Sequence, residues 1–295
     1  RCYTMNIISD KVYRNTYVYY IKRVVIRSIP VYVIALLLGV MVCVYYKGSY
    51  SSYYSSNASI KKQQSEYEDY QENMGKPLKM GDYMLYIFKG IEPVDKNVSA
   101  DKKIELPVTY LAIVIMCAFI VGINVGDKDD YVVLCFSKSR RVWLTGKLSG
   151  MYIGGIIIIM ELLLVAAVIS GGKTGFASYD SAYLVRYDYN RMTNFFAVMA
   201  VIFSMVMSVV MLITLQFMIS VVIGQIEGYI SIIALSVAAI FINSSLIPGN
   251  GLMLIRYSYF LSGGYNVIFI CVYAIIVTII SYVVSNIYMK QKDIL

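Results

Sequence analysis

Six stretches of the chain are almost continuously apolar: residues 30–46, 107–126, 148–170, 195–216, 229–247 and 267–288. A run of about 20 such residues crosses a bilayer as a helix. Inside lipid, only helices or closed barrels satisfy every backbone group. These runs lack the alternation of barrel strands, so the pattern predicts an all-α integral membrane protein with six transmembrane helices. Residues 1–29 are different. Tyr13, Tyr17, Tyr20, Ile21 and Val24 recur at helical spacing, while Lys11, Lys22, Arg23 and Arg27 fall off that stripe. This predicts an amphipathic helix lying on the membrane surface, an elbow that Pro30 separates from the first span.

The segments between the runs are polar. Residues 47–106 are hydrophilic, Ser/Tyr-rich and then charged, with nine lysines balancing nine acids. They are expected to form an extracellular loop or small folded cap. Residues 127–147, 171–194 and 217–228 connect later spans, the last through Gly224-Gln225-Ile226-Glu227-Gly228. Residues 248–265 are semi-polar and expected to dip into the interface, and 289–295 form a short tail.

Composition agrees with the pattern. Of 295 residues, 59% are hydrophobic and 15% charged, whereas a soluble domain is roughly half apolar and about 25% charged. The net charge of +8 would suggest nucleic acid in a soluble chain. Here the basic residues flank apolar runs, so topology explains them and no nucleic-acid partner is expected. With the N-terminus inside, the inner segments carry thirteen Lys and Arg and the short outer loops four. The long neutral loop is discounted, and the positive-inside rule then places both termini in the cytoplasm. None of the five cysteines falls in an expected outer loop, so no structural disulfide is expected. The chain has no histidine, which removes the commonest general base and zinc ligand. It starts at Arg1, with Met5 an alternative start, and no cleavable signal peptide is expected. The absence of histidine, with many Ile, Tyr and Lys, points to an AT-rich bacterial genome.

Among 18 acids, Glu161 alone lies inside an apolar run. A carboxylate at membrane depth is costly and faces a bundle interior or water. It is read either as a substrate or ion contact, or as a protonated side chain bonded to a neighbouring helix. Asn124 has the same two readings, with an interhelical hydrogen bond favoured. Gly171-Gly172-Lys173-Thr174 imitates the end of a phosphate-binding loop, but Ala167 stands where the pattern needs glycine and no strand precedes it. It is read as a turn. Met199, Met205, Met207 and Met211 crowd the fourth run and are read as packing. Tyrosines near the span ends suit the headgroup region.

The segment between the second and third runs is the most informative. Asp129 and Asp130 come first, then the short apolar stretch Tyr131–Phe136, then Ser137-Lys138-Ser139-Arg140-Arg141, then Gly146-Lys147. Acids suit a helix N-terminus. An apolar side on a short cytoplasmic helix suits docking in a partner's groove. With the elbow and the six spans, this pattern resembles the permease subunits of ABC exporters, the ABC-2 class. Asp129, Asp130, Leu134, Ser139, Arg140, Gly146 and Lys147 follow the family's order, while Ser137 stands where the family often has proline.

The resemblance implies a division of labour. Asp129, Asp130, Leu134, Phe136, Arg140, Gly146 and Lys147 would couple the chain to a separate ABC ATPase subunit. A second permease chain, identical or not, would complete the pathway. The chain itself would be no enzyme and would need no cofactor. It would export a hydrophobic or amphipathic cargo (peptide, antibiotic or lipid) across the plasma membrane. Two alternatives stand beside this: a membrane receptor or scaffold using residues 47–106, and an ion-coupled secondary transporter. The latter typically carries several intramembrane charges and internal repeats.

Overall fold

The structure, a computed structural model, describes residues 2–61, 78–91, 107–125, 140–175, 195–260 and 263–291. Among the described residues eight α-helices follow one another: α1 (Cys2–Arg27), α2 (Ile29–Lys61), α3 (Met80–Phe88), α4 (Val108–Asn124), α5 (Arg140–Ile169), α6 (Phe195–Val222), α7 (Gln225–Phe241) and α8 (Val267–Gln291). Two 3₁₀ turns, Asn250–Leu252 and Leu254–Arg256, lie between α7 and α8. Among the described residues there is no strand, only an isolated bridge between Tyr257 and Tyr265.

Among the described residues four helices are long and apolar enough to cross a membrane: α2 over Ile29–Ser52, α5, α6 over Val198–Val222, and α8. The apolar runs at 107–126 and 229–247 instead hold α4 and α7, of 17 residues each. At 1.5 Å per residue each is about 25 Å long, short of a hydrocarbon core of about 30 Å. α7 begins at Gln225, not Tyr229, and stops at Phe241, not Ile247. Its early start is possible because Gln225 donates its side-chain amide to the Gly122 carbonyl of α4. Its early end follows from Asn250, whose amide donates to the Ile242 and Ser244 carbonyls (3.2 and 2.5 Å) and holds 242–244 out of the helix. α5 starts at Arg140, well before the apolar run at Leu148.

Ser28 separates α1 from α2. Its hydroxyl donates back to the Val24 carbonyl at 2.8 Å. Pro30, which has no N–H, sits in the first turn of α2, where none is needed. α1 packs chiefly along α5, and the contacts give its direction. A Cβ placed on Gly146 would lie 3.0 Å from the Tyr20 Cβ, and one on Gly150 2.7 Å from the Val24 Cβ. On α2, Tyr32 meets Gly154 and Gly39 meets Leu162 and Val165. α1 and α2 therefore run parallel to α5 in succession. The Tyr17, Tyr20 and Val24 stripe expected to face the membrane surface faces α5 instead: Tyr20 and Val24 are buried, and the Tyr17 hydroxyl bonds Ser149 at 2.9 Å. Glycines at 146, 150 and 154 fall on one helix face, and small residues at this spacing let backbones approach closely.

α6 runs antiparallel to α5, with Phe217 beside Trp143, Thr214 bonded to Tyr152 at 2.8 Å, and Val209 against Gly155. α7, α8 and α4 complete the bundle around it. The far end is closed by an element absent from the sequence reading. α3, within the stretch read as hydrophilic, buries Tyr83, Met84, Leu85, Ile87 and Phe88. Its first N–H groups donate to the Lys173 and Gly175 carbonyls, both at 2.9 Å. The glycine turn that imitates a phosphate loop thus ends α5, with Gly171 and Gly172 in the left-handed region, and receives α3. Tyr46 of α2 stacks on Tyr86 with centroids 4.3 Å apart.

Candidate functional site

The sequence singled out Asn124 as an intramembrane polar residue and Arg140, Gly146 and Lys147 as part of a coupling segment. The structure brings all four to one end of the bundle. Asp129, Asp130, Leu134 and Phe136 lie outside the described residues.

Lys147 is 2% exposed. Its ammonium donates to the Asn124 carbonyl at 2.5 Å, the last residue of α4, and lies 5.1 Å from the centre of the Trp143 ring. A cation here meets the partial negative charge that aligned peptide dipoles place at a helix C-terminus. The Asn124 amide donates to its own helix at the Ile120 carbonyl (2.8 Å) and across to the Ser28 hydroxyl (3.3 Å), where α1 gives way to α2. Asn124 thus makes an interhelical hydrogen bond. Arg140 repeats the device on another helix: its guanidinium donates to the Met289 and Lys290 carbonyls at 2.8 and 3.1 Å, at the end of α8. Gly146 presents bare backbone to Tyr20 of α1. Gln216 of α6 adds a bond to the Ala118 carbonyl of α4 at 3.0 Å.

The first two turns of α5 therefore hold α1, α4 and α8 at once. The residues from Arg140 to Lys147 do this by position: 140 and 147 are two turns apart and carry the cations, while 146 falls on the glycine face. Sequence reasoning missed Ser28, Trp143, Gly150 and Gly154. The glycines had a legible signal in their spacing of four; Ser28 and Trp143 had none.

Glu161 does not belong to this junction. It lies fourteen residues further along α5 than Lys147, about 21 Å at helical rise. Its Oε2 is buried and receives no hydrogen bond among the described residues.

A third cation caps a helix at the opposite end. Arg256, 1% exposed, donates to the Ala239 and Ile240 carbonyls of α7 at 2.6 and 2.9 Å and to the Ile91 carbonyl after α3 at 3.1 Å. It also bonds the Asn250 side-chain oxygen. Burial pulls the guanidinium's pKa below its usual value, and the nearby Tyr265 and Tyr110 partly restore it. Charge counting placed Arg256 in a loop and gave no hint of this role.

The sequence matches no protein-family model and no curated protein, and the structure matches no solved one.

Proposed function

We propose that this chain is the membrane subunit of an ABC exporter of the ABC-2 class. In this reading it has six spans, the two 17-residue helices included. Both termini and residues 127–147 face the cytoplasm, and residues 47–106 face outward. A separate ATPase subunit docks on 127–147, and a second permease chain completes the pathway for a hydrophobic or amphipathic cargo. The membrane is the plasma membrane of a bacterium. The observation that supports this best is the junction. Arg140 and Lys147 join the end of the docking segment to the C-termini of α8 and α4, and Gly146 joins it to α1. A push on this segment therefore reaches three other helices together. ATP binding would shift the population between inward- and outward-facing arrangements through that shared contact.

The test is co-expression with an ABC ATPase from the same genome, purification through a tag on this chain alone, and an ATP hydrolysis assay in nanodiscs. The ATPase is expected to co-purify and hydrolyse ATP, and to be lost when Tyr131–Phe136 are replaced by serines. A well-folded preparation that retains no ATPase in mild detergent would refute the permease reading and favour a receptor or scaffold whose α3 cap meets the ligand.

A further inference from the structure

We infer that Glu161 is a lateral binding point for membrane-dissolved amines, entered from the hydrocarbon along the seam between α2 and α5. The inference concerns this chain alone and stands whether or not an ATPase docks.

Glu161 lies near the middle of the apolar part of α5, half-buried. Its neighbours divide the helix surface. Leu162 and Val165 are 0% and 5% exposed and pack on Gly39 of α2. Met160 and Leu164 are 59% and 60% exposed and face outward. The carboxyl group therefore sits on the rim of the α2–α5 seam, with Oε2 turned in and unbonded among the described residues. The buried hydroxyl of Tyr32, on the α2 side of the seam, is within electrostatic range.

Intramembrane acids ordinarily pair with another side chain or a backbone group, and this one makes neither contact among the described residues. The two cations buried among the described residues, Lys147 and Arg256, lie at opposite ends of the bundle, held on helix carbonyls. A ligand from outside the chain would supply that partner. A metal ion fits poorly, because hard cations take six or more oxygen ligands and no cluster of three acids or other ligating side chains forms among the described residues. An ammonium on an apolar tail fits: the tail lies against Met160 and Leu164, and the charge meets the carboxylate where low polarity strengthens the attraction. The exchange balances. A neutral amine arriving from the hydrocarbon takes the proton of a neutral carboxyl, leaving a carboxylate–alkylammonium pair with no net charge in the membrane.

The probes are a dodecylamine and a dodecanol carrying the same photoreactive diazirine, irradiated with the purified full chain in nanodiscs, with labelled peptides read by mass spectrometry. The amine is expected to label α2 and α5 around Glu161 roughly tenfold more than the alcohol, the ratio of an added 1.4 kcal/mol. Glu161→Gln should reduce the amine to the alcohol's level, and Glu161→Asp should keep part of the preference. Equal labelling by both probes, or amine labelling unchanged in Glu161→Gln, overturns the proposal. A second measurement on the unmodified chain guards against a misfolded variant. Unlabelled dodecylamine should protect Glu161 from a hydrophobic carbodiimide while dodecanol does not, and equal protection by the two would also refute the site.

Discussion

Three cationic side chains, Lys147, Arg140 and Arg256, each end on the terminal carbonyls of a helix other than their own. The last four carbonyls of any helix lack intrahelical donors, and in a membrane-embedded bundle water is scarce. A cation supplied by a neighbour satisfies the group and matches the dipole at once. The energetic weight lies in what is left behind when the donor goes. Lys147→Met is expected to leave the Asn124 carbonyl unsatisfied and lower stability by about 1–3 kcal/mol, read as a fall in melting temperature in a fixed detergent. A melting temperature equal to that of the native chain would mean that Lys147 contributes charge for topology only. In the sequence, Arg256 was visible only as positive charge, and Arg140 and Lys147 only as members of a cytoplasmic coupling segment. What distinguishes them is the distant carbonyl each one reaches, and pairings across 16 to 150 positions leave no local trace.

At the scale of elements, close approach of α1 to α5 depends on the glycine face. Gly150 admits no side chain without displacing Val24, since an added Cβ would lie 2.7 Å from the Val24 Cβ. Gly150→Leu is therefore expected to push α1 away at a cost of about 1–3 kcal/mol. The check is maleimide reaction at Val24→Cys in a chain with its native cysteines replaced. The thiol should react slowly beside Gly150 and at least several-fold faster beside leucine, and equal rates would contradict the packing. The long helices were legible because continuous apolar runs have few other stable forms in lipid. Their ends were not, because Gln225 and Arg140 read as loop until a neighbour offers them a partner. α3 was hidden for another reason. Its nine residues, Met80–Phe88, are mostly apolar, but they sit among balanced charges that make the whole 47–106 stretch read as hydrophilic. The α1 stripe was read correctly as a face and assigned the wrong neighbour: periodicity identifies a buried side, not what covers it.

Over the whole molecule, the two ends are tied differently. At one end, the start of α5 collects α1, α4 and α8. At the other, Arg256 joins α7, the 250–257 turns and the segment after α3, while Gly90 lies against Met253 with a positive φ of 74°. Removing that tie should free the cap as a unit. Arg256→Met leaves the Ala239, Ile240 and Ile91 carbonyls without their donor, a loss of roughly 3 kcal/mol or more. Trypsin should then cut after Lys79 or Lys89 distinctly faster than in the native chain. Unchanged cleavage would show that α3 is held by its tyrosine and backbone contacts alone.

The two short helices, α4 and α7, lie side by side. Tyr110 bonds the Ser236 carbonyl at 3.3 Å, and Phe119 packs on Tyr229 with centroids 5.4 Å apart. Both expose apolar side chains outward, among them Val108, Phe119, Ile230 and Phe241. In the six-span reading proposed above, the bilayer meets here a hydrophobic wall about 5 Å thinner than its own core. The lipids along that flank must compress or tilt to meet it, at a fraction of a kcal/mol per ångström. The longer helices α5 and α8, of 30 and 25 residues, ask for no such adjustment. In that reading the protein imposes a thickness gradient on the surrounding membrane, and lipids with short or disordered chains would gather on the thin side.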